Sequence, residues 1–71
     1  MKAIVTRKDK DGYYDEVGMN NRTVVGPYKT ERGLLRYGMP SHFKGELRVE
    51  IFYSDSILQE KADKTVYVFN Q

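Results

Sequence analysis

Glu46-Leu47-Arg48-Val49-Glu50-Ile51-Phe52-Tyr53 is the stretch that decides the fold. Its period of two puts Leu47, Val49, Ile51 and Tyr53 on one face and Glu46, Arg48, Glu50 and Phe52 on the other. A helix, with its 3.6-residue repeat, would scatter the same side chains around its axis. The pattern predicts a half-buried strand of an antiparallel sheet, one side on the core and one side wet. After it, Ser54-Asp55-Ser56 turns the chain, and residues 57–63 read as a long hairpin connection. Residues 64–70 form a last strand, with Thr65, Tyr67 and Phe69 on one face and Val66 and Val68 on the other.

Upstream, the chain opens with the β-branched run Lys2-Ala3-Ile4-Val5-Thr6-Arg7. Asp9-Lys10-Asp11-Gly12 then offers the positive-φ residues of a hairpin turn, and Tyr13 to Val17 is expected to return antiparallel. Gly18-Met19-Asn20-Asn21 is a second turn signal, and Arg22-Thr23-Val24-Val25 adds a short strand before Gly26-Pro27. One helix follows. Thr30 can cap it, Glu31 places negative charge at the positive end of its dipole, and Leu34-Leu35 give it an apolar stripe. Gly38 is in the C′ position that ends helices, Met39 can fold back on the last turn, and Pro40 forbids continuation. Gly33 weakens the helix by about 1 kcal/mol relative to alanine, so packing must hold it. The class is α+β: residues 1–71 as one domain, ordered β-β-(β)-α-β-β. A four- to five-stranded antiparallel sheet carries one short helix on one face.

Composition narrows the function classes. The 71 residues are 39% hydrophobic, enough for one small core and too many for a disordered tail. There is no cysteine, so disulfides, thiolate metal sites and a cysteine nucleophile are excluded. The longest apolar run is four residues, Val66 to Phe69, too short for a membrane span or a signal peptide, and a cytoplasmic protein is expected. The formal charge of +2 is low for a nucleic-acid binder. Its sign is uneven, with residues 29–45 carrying a local +3 and residues 46–63 a local −3.

Catalytic groups are sparse. His42 is the single histidine and reads as an exposed loop side chain rather than a base. Asp9 and Asp11 lack the spacing of a calcium loop and are read as turn formers. Asp15 and Glu16 would face opposite sides of a strand, and Glu46 and Glu50 would lie about 13 Å apart along one. No glycine-rich phosphate loop is present. We expect no enzyme, no cofactor and no metal.

Binding is the better class. Nine aromatics, six of them tyrosines, are too many for the inside of so small a sheet. Exposed aromatics beside arginines are the composition of protein interfaces. The residues expected to form such a surface are Arg32, Arg36, Tyr37, Lys44, Arg48 and Phe52. The first partner expected is another protein. The alternative is nucleic acid, held by the basic helix and by Arg7, Lys8 and Lys10 of the first hairpin beside Tyr13 and Tyr14. A weak homodimer is also open, through a sheet edge or through Phe52 flanked by Arg48 and Glu50. In plan, a tiny ββαββ domain of split charge without cysteine or tryptophan, the chain resembles small accessory proteins of phages and mobile elements. That resemblance implies a protein that regulates or inhibits a host protein. It covers no motif and assigns no residue.

Overall fold

Four strands and one helix make up the computed structural model, which describes residues 1–8, 12, 14 and 21–71. They are β1 (Lys2–Arg7), β2 (Arg22–Val25), α1 (Glu31–Tyr37), β3 (Gly45–Phe52) and β4 (Lys64–Asn70). Every pairing is antiparallel and the sheet order is β2-β1-β3-β4. The alternating stretch supplies β3, which with β1 forms the middle of the sheet. Because β2 and β3 both run against β1, they are parallel to each other. Their link must cross over a sheet face, and α1 lies in that crossover. The return strand expected over residues 13–17 falls outside the described residues, apart from Tyr14, which bridges antiparallel to Lys8.

The helix forms where its signals place it. Thr30 is the N-cap, and its hydroxyl accepts a hydrogen bond from Gly33 N at 3.0 Å. Glu31 at the helix start contacts Lys64 at the start of β4. Beyond the helix, Asn70 at the end of β4 donates to the carbonyls of Pro40 (3.0 Å) and Phe43 (2.7 Å). The helix therefore runs alongside β4 in the same sense. It buries Leu34 against Ala3, Val5, Leu47, Val49 and Ile51, with Leu35, Val66 and Val68 at the margin. Burial of one such leucine contributes about 1.5–3 kcal/mol, and a seven-residue helix would not persist without it.

Two local expectations, for Tyr53 and Phe52, are corrected, and two other residues do more than the sequence showed. Phe43, in the loop before β3, is in the core, with the Arg7 guanidinium 5.1 Å from its ring centroid. Gly38 caps the end of the helix with an ordinary φ of −89°. Its glycine is needed for space, since a Cβ there would lie 2.6 Å from Leu34 O and 3.0 Å from Tyr28 Cε2. Tyr53 is exposed, because β3 ends at Phe52 and Tyr53 begins the turn. Phe52, expected on the wet face, is only 3% exposed. The connection after β3 folds back at this end, with Asp55 N donating to Phe52 O and Asp63 bonding both Tyr53 N and Ile51 O. Alternation assigns a side chain to a face but does not report how far that face is packed over. Among the described residues no helix is long and apolar enough to cross a membrane.

Candidate interaction surface

The six residues expected to form one surface are divided between two. Arg32, Arg36 and Tyr37 are exposed on α1, while Lys44 lies in the loop after it and donates to Gln71 O at 2.7 Å. Arg48 and Phe52 alternate to the opposite face of the sheet. Arg48 is 15% exposed in its side chain and faces Glu50 Oε1 at 3.5 Å, and Phe52 is buried. The structure thus keeps a helix surface and removes Phe52 as a contact residue.

On the helix surface, Arg32 and Arg36 are one turn apart, about 6 Å along the axis. The Arg36 guanidinium carbon lies 5.5 Å from the Tyr37 ring centroid, and Tyr37 is 70% exposed. Lys29, exposed just before the cap, adds a third cation that the sequence reading counted only in the local charge. None of these three cations has a carboxylate within ion-pair distance among the described residues. Glu31, the acidic neighbour, is engaged by Lys64.

The sheet face opposite α1 has a different chemistry. Register places Arg22, Thr6, Arg48 and Tyr67 in one row across β2, β1, β3 and β4. Tyr14 lies over that row, 5.2 Å from the Arg48 guanidinium carbon and 5.8 Å from the Tyr67 ring. In the next row Lys8 pairs with Glu46, whose hydrogen bond and charge hold the Lys8 ammonium above the ordinary lysine range. Lys8 and Arg48 are thus partnered within this face. At its border Tyr67 and Phe69 are 65% and 69% exposed, side by side on β4. They line an open depression of about 350 Å³ with Glu46 and Val68. The sequence grouped these two aromatics but could not say that their strand would be the last in the sheet order.

Catalytic geometry is not assembled among the described residues. His42 is exposed and sets its ring edge-on to Phe43, with centroids 4.8 Å apart. Glu46 and Glu50 are each engaged by a cation. No group of three or more histidine, cysteine or acidic side chains there could hold a metal ion. Asp9, Asp11, Asp15 and Glu16 lie outside the described residues. Comparison of the chain with family models, with curated proteins and with solved structures returns no match.

Proposed function

We propose that this chain is a non-enzymatic protein-binding domain that docks an acidic surface of a cytoplasmic partner and regulates or inhibits it by occupation. The single observation that carries this reading is the exposed Arg36–Tyr37 stack with Arg32 one turn away, on a helix whose other side is fixed to the core. Arginine and tyrosine are the residues that dominate binding energy at protein interfaces. Here they sit on a supported element, so little side-chain and backbone freedom is lost on docking. Lys29 extends the positive potential and favours a carboxylate-rich partner through faster encounter.

Affinity capture from a nuclease-treated cytoplasmic lysate tests it. The parent protein should retain a protein that an Arg32→Ser, Arg36→Ser double variant loses, while Lys61→Ser, far from α1 in sequence, retains it. A ligand that disappears with nuclease treatment supports the nucleic-acid alternative instead. A protein retained equally by all three chains would show that the helix surface is not the contact.

A further inference from the structure

We propose that β4 is a self-pairing edge, joining a second copy of this chain antiparallel about Tyr67 to make one continuous eight-stranded sheet. This goes beyond the docking role of α1 and uses a different surface.

The ladder itself fixes which backbone groups face outward. Met1 and Tyr28 exchange both hydrogen bonds, at 2.7 and 2.5 Å. In an antiparallel ladder such exchanging pairs alternate with pairs that do not bond. Counting across β1 and β3, with one extra residue at Gly26-Pro27, makes Ile51–Lys64, Val49–Val66 and Leu47–Val68 the exchanging pairs of β3 and β4. The bond from Asp63 N to Ile51 O, 2.9 Å, agrees, because it marks a bulge opposite Ile51. Thr65, Tyr67 and Phe69 therefore turn their N–H and C=O groups away from β3. Among the described residues no strand lies on that side.

The edge also suits a copy of itself. With Tyr67 opposite Tyr67 of the second copy, Thr65 meets Phe69 and Phe69 meets Thr65, all with outward backbone groups. On the helix side Val66 meets Val68. Lys64, the one charge on β4, meets Asn70, so no like charges oppose each other. β4 has none of the devices that guard an edge along its middle, neither proline nor charge. The other edge, β2, is four residues long and carries Arg22. A seven-residue seam with two aromatics from each copy buries on the order of 1,000 Å² in total, the low end for a specific contact. The dissociation constant should accordingly be weak, on the order of 100 µM.

Sedimentation equilibrium from about 10 µM to 1 mM tests the pairing, with circular dichroism confirming that each variant is folded. The parent should pass from monomer to dimer across that range. Tyr67→Lys places two ammonium groups directly opposite and should raise the dissociation constant at least about tenfold. Thr65→Pro removes an outward N–H, leaves both aromatics and the β3 ladder in place, and should do the same. Thr65→Lys and Phe69→Glu should each weaken the dimer, and the double variant should recover it, because this register pairs residue 65 with residue 69. A parent that is monomeric at 1 mM, or a dimer that ignores Tyr67→Lys and Thr65→Pro, overturns the proposal. Failure of the charge-swapped double variant to recover overturns the register. None of these outcomes depends on capture through Arg32 and Arg36.

Discussion

Lys64 Nζ lies 3.0 Å from Glu31 Oε1 and 3.1 Å from Oε2, fastening the first residue of the helix to the first residue of β4. The hydrogen bond to Glu31, reinforced by its charge, holds the Lys64 ammonium above the ordinary value of 10.5. A folded-state value above the unfolded one means that folding favours the protonated form. The contribution is complete below 10.5 and fades as pH rises through the higher folded value. Glu31→Gln should therefore lower the melting temperature slightly near pH 8, and the gap to the parent should narrow as pH rises above 10.5. The pair is solvent-screened, so the gap is small throughout. Parallel thermal melts of the two chains check it, and the Lys8 titration cancels in the difference.

Gly38 gives a prediction opposite to helix propensity. Alanine is the better helix former by about 1 kcal/mol, and φ at this position is ordinary for any residue. Yet the added methyl would meet Leu34 O at 2.6 Å and the Tyr28 ring at 3.0 Å. Gly38→Ala should destabilise the fold by about 1–3 kcal/mol, the range for overpacking. Urea denaturation of the two chains measures it.

What the residues revealed beforehand and what they concealed separate along one physical line. Period and capping are local, so β3, β4 and the Thr30 cap were legible, and so were the apolar stripe of Leu34 and the apolar face of Leu47, Val49 and Ile51 that meet in the core. Phe43 was concealed because a loop residue has no period to report its burial. Phe52 was concealed because alternation reports the face of a side chain and not what packs over that face. For the candidate surface, Arg32, Arg36 and Tyr37 follow from helical spacing, while Tyr67 and Phe69 needed the strand order before they could be recognised as an edge. Sequence alone names neighbours along the chain, and an edge is defined by the neighbour that is missing.

Asn70 ties β4 to the segment after the helix. Its Nδ2 donates to Pro40 O, which also accepts from Phe43 N at 3.1 Å, and to Phe43 O. Asn70→Ala should lower stability by about 1–3 kcal/mol, the range for buried groups left unsatisfied. Asn70→Asp should be worse than alanine at neutral pH, since a carboxylate would then face two carbonyl oxygens. Hydrogen exchange of residues 40–43, compared between the parent and both variants, should show that loop opening first.

Ile51 and Phe52 are adjacent in sequence and opposite in face, and they make the sharpest test of how this sheet is built. Ile51 is fully buried beneath α1, so Ile51→Ala should cost about 2–5 kcal/mol. Phe52 lies outside that cluster but is 3% exposed where the connection after β3 folds back. Phe52→Ala should cost a comparable amount, about 3–5 kcal/mol. Had the whole second face been wet, the same change would fall within about 0.5 kcal/mol of the parent, as surface substitutions do. Urea midpoints of the two variants separate these outcomes. A large loss at both positions means that β3 is packed on both faces at this end. A loss at Ile51 alone would place Phe52 on the solvent side after all.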